Sequence, residues 1–129
     1  MDKLEKLRES LREFARERDW EKFHSPKNLA MALSVEAAEI AEIFQWLTED
    51  ESRRLSETKL SALQQEIADV FIYLINLSDK FSIDILKAAE DKLQHNRTKY
   101  PAHIVRGKAD KYTAYSSGED TYTKLHSFD

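Results

Sequence analysis

Two stretches of this 129-residue chain place carboxylates in the same pattern: Glu36-x-x-Glu39 in EAAEIAEIFQWL and Glu66-x-x-Asp69 in LQQEIADVFIYL. At about 100° per residue, Leu29, Leu33, Ile40, Phe44 and Leu47 share one helical face, and Glu36 lies about 60° from its axis. Glu39 lies about 120° off on the same side. Around the stripe Leu63, Ile67, Val70, Leu74 and Leu77, Glu66 and Asp69 hold the same two angular positions. If the two helices pack antiparallel by their stripes, four carboxylates converge along one edge of a bundle. Four such groups do not all stay ionised together in a partly dry cleft without a cation. A single glutamate on a helix is ordinarily a solvated charge, as Glu5, Glu9, Glu13 and Glu51 are expected to be. Two matched pairs, with no arginine in the central turns of either helix, predict a metal cage instead.

The donor set constrains the ion. Di-iron helical bundles pair a glutamate with a histidine three residues on, and neither helix carries that step. A set made only of oxygen donors favours Mg²⁺, with Mn²⁺ as substitute, over zinc or iron. Because Mg²⁺ commonly bridges carboxylates to phosphate oxygens, the chemistry expected is on a phosphate ester or anhydride. Lys92, Asn96, Arg97, Lys99 and Tyr100 form a basic and polar group suited to phosphate oxygens. The plain alternative is a helix C-terminus enriched in cations against its dipole. Trp20, Phe23, His24, Trp46 and Tyr73 offer flat surfaces for a base, with core packing as the alternative.

The elements that must position these groups read as helices throughout. Residues 27–100 contain neither glycine nor proline, which disfavours turn-rich β architectures. Leu4, Leu7, Leu11 and Phe14 predict a first helix from Lys3 to about Arg18. DWEKFHSPK, with Pro26, reads as a loop, and a second helix is expected from Pro26 or Asn28 to Leu47. TEDESRR is a polar connection, and a third helix is expected over Glu57–Phe81. Ser82 and Asp84 resemble caps of a fourth helix ending near Thr98, before Pro101. From Ala109 the chain is rich in Ser, Thr, Tyr and Asp and reads as an irregular arm or flexible tail. In the third helix, VFIYLINL is apolar at every position except Asn76. Such a helix must be covered on all sides, which predicts self-association; a central helix in a compact monomer is the alternative.

Composition sets the outer limits. Hydrophobic residues make up 41% and charged residues 34%, a globular balance rather than a disordered or membrane one. The net charge of −4 argues against a general nucleic-acid binder. With no cysteine, disulfides and thiolate metal sites are excluded. The N-terminus has no apolar signal core and no run approaches a membrane span, so a cytoplasmic protein without membrane partners is expected.

At these residues the chain resembles the MazG-like all-α nucleoside triphosphate pyrophosphohydrolases, and within them the dCTP pyrophosphatases. The carriers are the two carboxylate pairs and the strings RDWEKFHSPKNLAMAL, AEIFQW, LQQEIADVFIYL and NRTKYPAH. The resemblance runs from about Leu4 to Thr113. It implies one four-helix-bundle domain over residues 1–113, with a tail over 114–129, and a homo-oligomer, either tetramer or dimer. The implied reaction converts a nucleoside triphosphate, dCTP or a related pyrimidine, to the monophosphate and pyrophosphate with Mg²⁺. By position, Glu36, Glu39, Glu66 and Asp69 match the metal ligands. Trp20 and Trp46 match the base pocket, with His24 in the loop beside it. Tyr73 matches a position near the sugar, and Lys92, Asn96, Arg97 and Tyr100 match phosphate-side positions. One departure stands at Leu11, where some dCTP pyrophosphatases carry histidine.

No Ser–His or Cys–His nucleophile arrangement is visible, so water is the expected nucleophile. Glu39 is the first choice to orient it, with Glu36 and Glu66 as alternatives. Three other readings stay open. A non-catalytic helical oligomerisation or regulatory module accounts for the apolar third helix but not for the carboxylate pairs. A metal-dependent phosphohydrolase of another kind accounts for the pairs but less naturally for the tryptophans. A MazG-like hydrolase with a different nucleotide preference fits both.

Overall fold

The computed structural model describes residues 2–109, and these are all-helical, with no strand among them. The expectations for a tail over 114–129 lie outside the described residues. In chain order the elements are α1 (Lys3–Glu17), a 3₁₀ turn (Glu21–Phe23), α2 (Pro26–Phe44), α3 (Glu49–Ser52), α4 (Glu57–Lys80), α5 (Ile85–Lys99) and α6 (Ala102–Val105). The described residues divide into two compact units, the second beginning at Ile85.

Local chemistry sets most of the helix starts. The Asp2 carboxylate accepts from the Glu5 N–H at 2.8 Å to open α1. Ser25 accepts from the Asn28 N–H at 3.1 Å to open α2, with Pro26 in the first turn where it costs no hydrogen bond. Thr48 and Glu51 cap each other reciprocally, so the connection expected to be merely polar contains the short helix α3. Ser56 opens α4 in the same manner.

Two helix ends are closed by a residue other than glycine. Asp19 and Ser82 both adopt φ of 54°, the left-handed region usually given to glycine. Behind Asp19, the Trp20 N–H donates to the Ala15 carbonyl at 2.9 Å and the Asp19 N–H to that of Arg16 at 3.1 Å. Behind Ser82, the Ile83 N–H reaches the Ser78 carbonyl at 2.9 Å and the Ser82 N–H that of Asp79 at 3.2 Å. Both are left-handed helix stops with a 6→1 and a 5→2 bond. Ser82 therefore ends α4 instead of capping the next helix.

In the first unit α2 and α1 both pack on α4. Leu29 and Ile75 are the large side chains buried to 1% and 0% exposure, and each contributes about 1.5–3 kcal/mol by leaving water. The arc of α4 that faces inward only partly matches the predicted stripe, of which Leu63, Val70 and Leu77 are half-buried. Ile67 stays 52% exposed and Leu74 36%, with Leu60 and Phe71 also open, while Ile75 is enclosed. A helix apolar around its circumference carries no periodic signal for which arc its own chain covers. On α2 the predicted stripe does face inward: Leu29 is buried and Leu33, Ile40, Phe44 and Leu47 are half-buried.

The second unit consists, in its described part, of α5 and α6. No residue of α5 is buried, and Leu86 and Leu93 are exposed. Among the described residues no helix is long and apolar enough to cross a membrane.

Candidate metal centre and adjoining cavity

The packing of α2 on α4 brings three of the four predicted carboxylates together. Glu36, Glu39 and Glu66 each offer an oxygen within 4.8 Å of the others, and all three side chains are half-buried. Glu36 and Glu39 stand one helical turn apart, so both reach the same point from α2. Asp69, one turn beyond Glu66 on α4, is outside this tight group and exposed. Its negative charge is nevertheless among the causes that lift Glu36. The four groups thus form a triad with a fourth carboxylate beside it, rather than one even cluster.

Their electrostatics are those of carboxylates crowded without counter-ions. Glu66 is pushed up to about 7, first by sharing a proton with Glu39 and then by burial. Glu36 is raised by burial and by its bond with Glu39, and Glu66 partly offsets this. Among the described residues, none of the four makes an ion pair with lysine or arginine. One oxygen each of Glu36 and Glu66 is buried with no hydrogen-bond partner. Buried acceptors of this kind are normally satisfied. Converging, unsatisfied, all-oxygen donors fit a hard divalent cation such as Mg²⁺ or Mn²⁺.

Asp69 also lines a cavity of about 340 Å³ whose other walls are Leu11, Phe14, Ala15, Trp20, His24, Ile72, Tyr73 and Asn76. Three of the sequence-predicted base and sugar residues, Trp20, His24 and Tyr73, therefore share one pocket. Trp20 is set there by the helix stop at Asp19. Its ring meets Phe14 edge-on at 5.7 Å and 74°, and the Arg18 guanidinium covers the other ring of the pair, 3.7 Å from the Phe14 centroid. Beyond the 3₁₀ turn, the Asn28 side-chain amide donates to the Phe23 carbonyl at 3.1 Å, fixing the loop's exit.

Trp46 is not part of this pocket. It lies in the turn after α2, 86% exposed and outside the cavity lining. Phe23 is exposed as well. In the second unit, Lys92 is exposed and Asn96, Lys99 and Tyr100 are half-buried at the end of α5. Arg97 donates to the Gln94 side chain at 3.0 Å, and the Tyr100 N–H to the Asn96 carbonyl at 2.8 Å.

Sequence reasoning passed over Phe14, Ile72 and Asn76 as pocket walls. The spacing held the signal for Asn76: it follows Tyr73 by three residues and Asp69 by seven, all on one arc of α4. It also passed over the tie between α1 and α4, where Arg12 Nε donates to Asp79 Oδ2 at 2.7 Å beside the buried Arg8.

Comparison with known proteins bears on the same residues. The MazG-like family profile matches residues 31–114, a span that holds all four carboxylates and begins after Trp20 and His24. The dCTP pyrophosphatase 1 proteins of Homo sapiens and Mus musculus are each 44% identical over 117 residues, covering 89% of this chain and 69% of theirs. The crystal structure of a pyrophosphatase from Archaeoglobus fulgidus superposes with a TM-score of 0.74 at 43% identity, over 78% of this chain and 94% of that one. An all-helical fold, a carboxylate triad and a likeness that extends through both lead to one assignment: the chain belongs to the MazG-like family.

Proposed function

We propose that this chain is a Mg²⁺-dependent nucleoside triphosphate pyrophosphohydrolase acting on dCTP or a related pyrimidine deoxynucleotide. The carrying observation is the triad of Glu36, Glu39 and Glu66, with unsatisfied buried oxygens, next to an aromatic cavity large enough for a nucleoside. That the chain is an enzyme, a nucleoside triphosphate diphosphatase, rests on the names of relatives 44% and 43% identical over the matched regions.

Water attacks the α-phosphorus, the bond from that phosphorus to the bridging oxygen breaks, and pyrophosphate leaves with the electron pair. Glu36, Glu39, Glu66 and Asp69 would hold the metal, which when bound neutralises phosphate charge and polarises the phosphoryl group. Glu39 orients the water and accepts its proton, with Glu36 or Glu66 as alternates. Trp20 stacks on the base, His24 borders it, and Tyr73 lies against the sugar, where its ring disfavours a ribose 2′-hydroxyl. Lys92, Asn96, Arg97 and Tyr100 serve the phosphate side. The working domain spans residues 1–113, and the reaction would remove surplus or damaged nucleotides from the cytoplasmic pool.

The reading includes a homo-oligomer, tetramer or dimer. The open face of Leu60, Ile67, Phe71 and Leu74 and the exposed ring of Trp46 are the surfaces a second copy would cover. The test of the reaction is incubation with each nucleoside triphosphate and Mg²⁺, followed by separate assays of pyrophosphate and orthophosphate. Pyrophosphate with the monophosphate is expected; diphosphate with orthophosphate overturns the proposal.

A further inference from the structure

Asn76 interrupts an otherwise apolar run, and no part of the chemistry above uses it. A carboxamide among Phe71, Ile72, Leu74, Ile75 and Leu77 forfeits burial unless it has a partner. Among the described residues its side chain makes no hydrogen bond, although it is half-buried and lines the 340 Å³ cavity. It also borders a smaller adjoining recess of about 50 Å³, together with Leu11, Arg12, Ala15, Glu21, His24, Asp79 and Lys80. There Arg12 and Asp79 are engaged with each other.

Distance along α4 assigns the ends of the cavity. Asp69, Tyr73 and Asn76 stand on one arc, and seven residues of helix span about 10 Å. With the metal-side carboxylate at one end and Tyr73 between, Asn76 sits where a nucleotide held by its phosphate would present its base. Leu11 and Phe14 in the same wall offer no polar atom.

We infer that the Asn76 carboxamide pairs with the hydrogen-bonding edge of a pyrimidine base and lets the cavity accept cytosine and uracil alike; this rests on the nucleotide reading above. A carboxamide presents one donor and one acceptor side by side. It matches the amino group and ring nitrogen of cytosine in one orientation. Turned over, it matches the carbonyl and ring N–H of uracil or thymine. Cytosine and uracil nucleotides are therefore both accepted. Asn76→Asp leaves only acceptors, which keep one bond to either base and set an oxygen against the ring nitrogen of cytosine or the carbonyl of uracil.

The test compares wild type, Asn76→Ala and Asn76→Asp on dCTP, dUTP and dTTP by kcat/KM, and on dCMP and dUMP by calorimetry, which needs no turnover. Wild type is expected to handle cytosine and uracil within about tenfold of each other. Asn76→Ala should lose about tenfold for both, and Asn76→Asp should lose as much or more for both, since one of its oxygens opposes an acceptor on either base. Hydrolysis of cytosine and uracil nucleotides with unchanged kcat/KM in both variants overturns the inference and leaves the reaction standing. Monophosphate binding that follows position 76, in a protein releasing no pyrophosphate, supports the inference and overturns the reaction.

Discussion

Arg12 on α1 grips Asp79 on α4 with two bonds, Nε to Oδ2 at 2.7 Å and Nη2 to Oδ1, across 67 residues of sequence. The guanidinium holds the Asp79 carboxyl below its ordinary value of 3.8, against the opposing effect of burial. A depressed acid stabilises the fold fully above its unfolded value and loses that contribution as pH falls through the folded one. Wild type should therefore exceed Asp79→Asn in Tm by a constant margin above about pH 5, worth about 1 kcal/mol for a bidentate but partly exposed pair. Thermal melts from pH 7 down to 2 should show the margin closing below 3.8. A margin that is flat with pH contradicts the assignment.

The carboxylate triad has the opposite sign. Glu66, raised to about 7 from 4.5, binds more proton folded than unfolded between those values, so the metal-free protein should lose stability as pH rises through that window. Glu66→Gln should flatten the decline. Mg²⁺ at pH 8 should raise the Tm of wild type and have much less effect on Glu66→Gln. An equal Mg²⁺ shift in both proteins places the cation elsewhere.

Turnover gives an independent reading of the same residues. Glu36→Gln, Glu39→Gln, Glu66→Gln and Asp69→Asn should each lower kcat by about a hundredfold or more, since each removes charge from the site. Circular dichroism should remain helical throughout. Because Asp69 stands apart from the other three, its amide variant is expected to be the mildest. Two variants of near-normal activity are incompatible with the proposed centre.

The left-handed residue at the end of α4 offers a test free of function. Ser82 holds φ of 54°, at a steric cost of about 1–2 kcal/mol that glycine avoids, while glycine forfeits about 0.5–1 kcal/mol of chain entropy. Ser82→Gly should leave stability unchanged or raise it by up to about 1 kcal/mol, whereas Ser82→Val should lower it. Denaturant midpoints measure both.

Assembly is tested on the open arc of α4. Wild type should sediment as a dimer or tetramer at micromolar concentration, and Ile67→Glu or Phe71→Glu should release a folded protomer. Ile75→Glu places a charge at a fully enclosed position and should unfold the chain instead. A monomeric wild type ends the oligomer proposal.

These contrasts show which features could be read in advance. The acidic step at Glu36 was legible because helical periodicity places a residue relative to a stripe wherever the stripe itself is clear, as on α2, and the step at Glu66 was legible because it repeats the same spacing. On α4, eight nearly continuous apolar positions erase that reference, and Ile67 and Leu74 turned outward. The end of α1 near Arg18 was legible from the break at DWEKFHSPK, while the left-handed stop at Ser82 was hidden because its usual marker, glycine, is absent. Trp20 and Trp46 are chemically equivalent letters, and what makes Trp20 a pocket wall is its tertiary setting, the hydrogen bond back to Ala15 and the edge-on contact with Phe14.

That bond has a consequence for how a ligand is met. The segment between α1 and α2 is fastened at its entry by the Trp20 N–H on Ala15 and at its exit by Asn28 on Phe23. The indole's position is thus set during folding, and little backbone freedom remains to be surrendered when the cavity fills. A preset wall favours a rigid, flat guest over a flexible one of equal area. It also makes the rate of encounter depend on diffusion into an existing space rather than on waiting for a loop to close.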